Sequence, residues 1–245
     1  MSMCADCIKV VTHEGVPTGS QASINGVDCY IAEPSEEYAK EKVVLFLTDG
    51  FGIGFINNQL LVDDYAKNGY KTIAMDLFNG DVFTEENIKT IDLPAWVSRH
   101  GRDFTRPIID KVVDGLKQDG VNQFAATGYC FGGRYVFDLG FDNVISTSIA
   151  THPSMLECPS DFEAYVSKSS SPLLLNTGGL DVYFPPKIYG TIDTIFDGFA
   201  PGYKRTLYEG CAHGFAVRGD IRDPKVKQAK ESAFEESIKW LRKHF

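Results

Sequence analysis

An unbroken apolar run, Val43-Val44-Leu45-Phe46-Leu47, lies between the charged pair Glu41-Lys42 and the turn Asp49-Gly50. A run of this length without polar alternation predicts a strand buried on both faces, as in a parallel sheet. Further strands are predicted over 27–32, 72–75, 123–127, 144–150, 173–176 and 204–208, with Asn25-Gly26 as a hairpin turn before the first. Between them the period lengthens. Ile108, Ile109, Val112, Val113 and Leu116 fall at i, i+1, i+4, i+5 and i+8, one apolar stripe of a helix. A last helix starts near Pro224, a residue suited to a first helical turn, and carries Val226, Ala229, Ala233, Phe234 and Leu241 on one side. Strands alternating with helices predict an α/β fold, a mostly parallel sheet with helices on both faces. In such sheets ligands bind beyond the carboxyl ends of the strands.

Composition narrows the function classes. The chain has 245 residues, 43% apolar and 23% charged, which suits one globular domain spanning 1–245. With 33 acidic and 24 basic side chains the net charge is −9, and no lysine-rich run offsets it. That balance excludes a nucleic-acid footprint. No apolar stretch approaches the roughly 18 to 20 residues of a membrane span, so no membrane partner is expected. Met1-Ser2-Met3-Cys4-Ala5-Asp6-Cys7 lacks the basic start and apolar block of a secretory signal. Six irregularly spaced cysteines do not form a disulfide framework, and a reducing, cytoplasmic setting is the expectation. Cys4 and Cys7 make a C-x-x-C, but it precedes any strand and has no second ligand pair for zinc. No phosphate-binding glycine motif and no histidine cluster occurs, so neither cofactor nor metal is expected.

The candidate chemistry sits where the strand 123–127 runs into Gly128-Tyr129-Cys130-Phe131-Gly132-Gly133, with a helix following from Arg134. This is the G-x-S-x-G nucleophile elbow with cysteine in the serine position. A sharp strand-to-helix turn strains the central residue and crowds the residues two before and two after, which Gly128 and Gly132 relieve. The helix N-terminus beyond Cys130 favours a nearby negative charge, including a thiolate. On this architecture an acid and then a histidine follow the nucleophile. Asp181 follows the strand 173–176 and His213 follows the strand 204–208, which makes them the orienting acid and the base. The Phe131 N–H is one oxyanion donor, and Gly50, in the turn after the run 43–47, supplies the second. Asp49 places a carboxylate beside the sulfur, and like-charge repulsion there predicts a resting neutral thiol.

Taken together these residues resemble the dienelactone hydrolase family, the carboxymethylenebutenolidase-like proteins of the α/β-hydrolase fold. The resemblance covers nearly the whole chain. It rests on the 128–133 elbow, Asp181, the block Ala212-His213-Gly214-Phe215 running into Arg218-Gly219-Asp220, and Ala150-Thr151-His152-Pro153-Ser154. It implies a cysteine hydrolase that opens a small lactone or ester through a thioester at Cys130. The family pattern often has a glutamate beside the nucleophile, and Asp49, one methylene shorter, stands at the matching position. The resemblance also implies arginines that hold a substrate carboxylate, for which Arg218 is the candidate. Arg99 and His100, near Trp96, are candidates for a second side of the pocket, and Tyr129 and His152, at strand ends, for further substrate contacts.

The expectation is therefore a cofactor-free hydrolase of a small-molecule lactone or ester, monomeric or homodimeric. A broader carboxylesterase or thioesterase using the same triad is the enzyme alternative. The alternative from another class is a non-catalytic protein on this scaffold that senses redox state through Cys130 or binds a metabolite.

Overall fold

The computed structural model describes residues 11–245, so the Cys4 and Cys7 pair lies outside the described residues. Strands β1 (Ser20–Ile24), β2 (Val27–Ala32), β3 (Lys42–Leu47), β4 (Thr72–Met75), β5 (Gln123–Tyr129), β6 (Thr147–Thr151), β7 (Leu173–Gly178) and β8 (Tyr203–Tyr208) form one sheet. Their order is β1-β2-β4-β3-β5-β6-β7-β8, antiparallel at the β1–β2 and β2–β4 pairs and parallel elsewhere. The helices are α1 (Ile56–Lys67), α2 (Leu93–Arg99), α3 (Arg102–Gln118), α4 (Phe131–Phe141), α5 (Ser160–Lys168), α6 (Tyr189–Ile195), α7 (Phe215–Arg218) and α8 (Pro224–His244). No helix among the described residues is long and apolar enough to cross a membrane.

The apolar run in β3 behaves as its pattern predicts. Val44 and Phe46 pack with Leu61, Tyr65, Phe234 and Leu241 of α1 and α8 on one face. Val43, Leu45 and Leu47 pack with Ile109, Val112, Val113 and Val136 of α3 and α4 on the other. Alternate side chains of one strand thus enter two cores, which is why the run shows no polar alternation. The predicted stripe 108–116 is the buried face of α3, and Pro224 stands at the start of α8 behind an Asp223 side chain that caps the Lys225 N–H.

Two expectations shift. The sixth strand, predicted over 144–150, spans Thr147–Thr151, because Val144 and Ile145 pack against the core from the preceding loop. The helix after the elbow begins at Phe131, without the intervening turn that a start at Arg134 implied. Because β3, β5, β6, β7 and β8 are parallel, their carboxyl ends share one edge, and the segments after them converge there.

That convergence requires glycine at the elbow. A Cβ on Gly132 would stand 2.1 Å from the Leu47 carbonyl oxygen, and one on Gly128 would stand 2.5 Å from the Gly132 carbonyl oxygen. Both obstacles are backbone and cannot swing aside. Gly132→Ala is expected to destabilise the protein by about 3 kcal/mol or more, read as a lower urea midpoint. Gly190→Ala, where a Cβ meets nothing within 4 Å, is expected to leave the midpoint unchanged or slightly raised.

Candidate active site

β5 ends at Tyr129 and α4 starts at Phe131, so the reversal from strand to helix falls on Cys130, at φ 50° and ψ −112°. Such a conformation costs a residue with a side chain on the order of 1–3 kcal/mol and persists only where neighbours impose it. Here the Cys130 N–H donates to the Thr151 carbonyl at 3.2 Å, and its carbonyl accepts from the N–H groups of Gly133 and Ser154, each at 3.0 Å. The Gly132 N–H reaches back to the Thr48 carbonyl at 3.1 Å and locks α4 against the end of β3. As the first residue of α4, Phe131 has an N–H with no intrahelical acceptor. The Gly50 carbonyl, in contrast, accepts from the Phe83 N–H at 2.7 Å.

The loops after β7 and β8 are tied together. The Gly179 N–H donates to the Tyr208 carbonyl at 2.9 Å and the Leu180 N–H to the Cys211 carbonyl at 2.9 Å. This brings His213 Nδ1 to 2.9 and 3.0 Å from the two carboxylate oxygens of Asp181. Asp181 is buried and held in turn by the N–H groups of Tyr183 at 2.9 Å and Phe184 at 3.0 Å. With Nδ1 engaged, Nε2 of His213 is buried and has no hydrogen-bond partner. Burial alone would depress the imidazole, but the Asp181 hydrogen bond and the adjacent Cys130 sulfur raise it to about 9. The Ser154 hydroxyl is 3.9 Å from Cys130 Sγ. Sequence reasoning passed over Ser154, although the parallel pairing of Tyr129 with Thr151 sets the residues after the two strands side by side.

Asp49 departs from its expected role. Its carboxylate is fully buried, accepts the Asn58 amide at 2.9 Å and the Phe51 N–H at 3.2 Å, and forms an ion pair with Arg218 Nε at 2.9 Å. Cys130 is not among these partners. A buried carboxylate must be compensated, and a permanent cation at this distance outcompetes a neutral thiol. Burial pushes the Asp49 carboxyl up, and Arg218, Asn58 and the Phe51 N–H oppose that. Arg218, rather than the sulfur, thus takes the Asp49 charge.

Cys130, Phe131, Ser154, His213 and Arg218 open onto a cavity of about 280 Å³ whose other walls are Phe83, Ile88, Leu93, Trp96, Val97, Met155 and Tyr183. The remaining candidates do not line it. Tyr129 is buried, with its hydroxyl 3.1 Å from that of Tyr65. His152 is fully buried behind His213, ring centroids 5.2 Å apart, with both ring nitrogens unpartnered. Burial holds it well below the usual histidine range, and the neighbouring charges of His213 and Arg218 add to this. Arg99 is exposed and bonded to the Asp81 carboxylate at 2.7 Å, and His100 is buried with Nδ1 2.9 Å from the Trp96 carbonyl oxygen. Leu93, Trp96 and Val97 of that stretch line the cavity, while Arg99 is turned to Asp81 and His100 to the Trp96 carbonyl. Among the described residues no group of three or more His, Cys, Asp or Glu is arranged to hold a metal ion.

Sheet, elbow and site geometry define a class. A Klebsiella pneumoniae protein of known structure aligns with a TM-score of 0.74 at 18% identity, over 93% of this chain and 99% of that one. The thermophilic esterase of Thermogutta terrifontis aligns with a TM-score of 0.61 at 14% identity, over 91% and 92%. The fold is that of an α/β-hydrolase. Residues 27–245 match the Dienelactone hydrolase family. The chain is 32% identical over 244 residues to "Dienlactone hydrolase 1" of Gibberella moniliformis, covering 96% of this chain and 91% of that protein. It is 25% identical over 230 residues to "Carboxymethylenebutenolidase homolog" of Mus musculus, covering 92% and 91%. The chain belongs to the dienelactone hydrolase family and is a hydrolase of ester or lactone bonds.

The raised His213 pKa has a consequence for stability. A histidine near 6.5 when unfolded and about 9 when folded binds its proton more tightly in the native state. Its contribution is fully present below pH 6.5 and is lost as the pH rises through 9. The Tm of wild type relative to His213→Gln is therefore expected to be highest near pH 6 and to fall steadily toward pH 9.5. A difference that is flat across this range would mean that Asp181 and Cys130 do not hold the proton on His213.

Proposed function

We propose that the protein is a cysteine-dependent hydrolase of small lactones or esters, with Cys130 as nucleophile, His213 as proton carrier and Asp181 orienting the imidazole. One observation carries this reading. His213 Nδ1 is fixed by both Asp181 oxygens at 2.9 and 3.0 Å, while its unpartnered Nε2 belongs to the ring that shares a cavity with the Cys130 sulfur. An imidazole held at about 9 is protonated at neutral pH and so can donate a proton in the cavity it shares with the sulfur.

These positions support a two-stage acyl transfer. Cys130 Sγ attacks the carbonyl carbon, and the negative charge gathers on the carbonyl oxygen between the N–H groups of Phe131 and Gly50. Collapse breaks the carbon–oxygen bond of the leaving group, and the His213 imidazolium gives it a proton. The acyl group remains as a thioester. His213, now neutral, takes a proton from water as it attacks that thioester, and the second collapse releases the acid and restores the thiolate and the imidazolium. Asp181 stabilises the imidazolium without taking its proton. The relatives named for dienelactone and carboxymethylenebutenolide hydrolysis support lactones among the substrates.

The test is turnover of a panel of dienelactone, short 4-nitrophenyl esters and acyl thioesters by wild type, Cys130→Ala and Asp181→Asn. Cys130→Ala is expected to lower kcat/KM by about 10⁴-fold or more, and Asp181→Asn by about 10²- to 10⁴-fold. Circular dichroism should show both variants folded. Turnover by Cys130→Ala equal to wild type would remove the nucleophile assignment. Turnover of esters or thioesters without the lactone would keep the triad and replace the substrate.

A further inference from the structure

The chain that leaves β6 also borders the sulfur. In the sheet β5 stands between β3 and β6, so the turn holding Gly50 lies on one side of Cys130 and the residues after Thr151 on the other. Tyr129 pairs with Thr151, and the two chains leave the sheet side by side. The second chain then turns back. His152 at φ 38° and Met155 at φ 58° both have left-handed backbones, which residues with side chains adopt only where their surroundings impose it. The His152 N–H donates to the Asn176 carbonyl at 2.8 Å. Pro153 fills the space that Gly133 leaves on α4, where a Cβ would stand 2.6 Å from the proline ring.

Two further hydrogen bonds tie this segment to the nucleophile itself. The Thr151 carbonyl accepts the Cys130 N–H at 3.2 Å, and the Ser154 N–H donates to the Cys130 carbonyl at 3.0 Å. Ser154 is thereby held against the backbone of the residue whose sulfur it faces. Its hydroxyl stands 3.9 Å from Sγ, within reach of a hydrogen bond to sulfur, and both residues line the same cavity. Among the described residues the hydroxyl has no other partner.

A serine hydroxyl rotates, so it accepts from a thiol and donates to a thiolate. Whatever proton the sulfur carries at rest, the thiolate is the form that attacks. A hydrogen bond donated to the charged form favours that form, and bonds to charged acceptors are the stronger ones. The other ionisable groups near the sulfur come from other elements. His213, with Asp181 behind it, stands on the loop after β8, and Arg218 of α7 is paired with Asp49 and packs 5.1 Å over the Phe51 ring. His152, on the same segment as Ser154, is buried behind His213.

We infer that Ser154 is a further catalytic residue, its hydroxyl donating to the Cys130 sulfur as the thiolate attacks and again as the sulfur leaves the thioester. This rests on the reading of Cys130 as the nucleophile. The Ser154 proton stays on its oxygen throughout, no bond to the serine forms, and His213 carries the proton that moves.

The test follows alkylation of Cys130 by iodoacetamide across about pH 5–10, read at the Cys130 peptide by mass spectrometry. It is run beside kcat/KM for 4-nitrophenyl acetate in wild type, Ser154→Ala, Ser154→Val and Ser154→Thr. The midpoint of the alkylation profile belongs to the Cys130–His213 couple, whose partners are unaltered in all four proteins. Ser154→Ala and Ser154→Val are expected to raise that midpoint by about half a pH unit or more and to lower kcat/KM at neutral pH about threefold or more. Ser154→Thr has the shape of the valine variant and keeps the hydroxyl, so it is expected to stay close to wild type. Each variant retains the N–H bond to the Cys130 carbonyl, and circular dichroism checks the fold. An unmoved midpoint in Ser154→Ala, with or without a loss of turnover, would overturn the inference. Equal shifts in Ser154→Thr and Ser154→Val would overturn it too, by giving the residue a packing role. If no protein hydrolyses the ester or the other substrates of the panel while the midpoint moves as expected, the proposed function fails and the bond from Ser154 to the sulfur stands.

Discussion

The carboxyl edge of the sheet depends on how closely α4 approaches the end of β3. With no side chain at 132, the Gly132 backbone lies against the Leu47 carbonyl and its N–H bonds to Thr48. This fixes the helix start at the sulfur, so the Phe131 N–H, the amino end of the helix and the strained Cys130 occupy one small volume. An added methyl would move the helix, and with it both the field on the sulfur and the Phe131 N–H. Backbone strain at Cys130 is thus sustained by the same few hydrogen bonds that set the sulfur at the amino end of the helix.

A second constraint is electrostatic. Five ionisable groups meet in a region largely shielded from water, where an unpaired charge is costly. They arrange as couples: Asp181 with His213, Arg218 with Asp49, and Cys130 beside His213. Asn58 and the Phe51 N–H complete the shell of Asp49, and the Tyr183 and Phe184 N–H groups complete that of Asp181. His152, buried and neutral, backs His213 without adding a charge. The His213 imidazole thus keeps Asp181 on one side and the Cys130 sulfur in the same cavity.

How legible these features are in the sequence follows the range of the interactions behind them. Strands buried on both faces announce themselves, as β3 does, because both cores demand apolar side chains. β1 does not, since Ser20–Ile24 is mostly exposed and its polar residues follow no core. α1 hides for a different reason. Its buried face includes Asn58, Asp63 and Asp64, which break the apolar period and are met largely by partners outside the helix, among them Asp49, Thr18, Tyr30 and Thr12. At the site, chain order and strand ends located Cys130, Asp181 and His213, because the fold fixes where such residues stand. Side-chain direction was not legible at Tyr129, which turns into the core with Tyr65, or at Arg99, which turns outward to Asp81. The Asp49–Arg218 pair joins segments far apart in the chain, and no local pattern marks it.

That pair also sets the terms on which a ligand enters. Asp49 is fully buried while the Arg218 side chain keeps 27% of its surface exposed, so solvent reaches one side of the pair. A group arriving from the cavity meets an Arg218 whose Nε is already turned to Asp49. Apolar parts of a ligand gain by covering the rings of Trp96 and Phe83, which line the cavity, at roughly 25 cal/mol for each Å² of apolar surface removed from water. The arginine is thus better understood as a donor fixed in place by Asp49 and Phe51 than as a free positive charge. The buried aspartate, in turn, is the feature that converts one into the other.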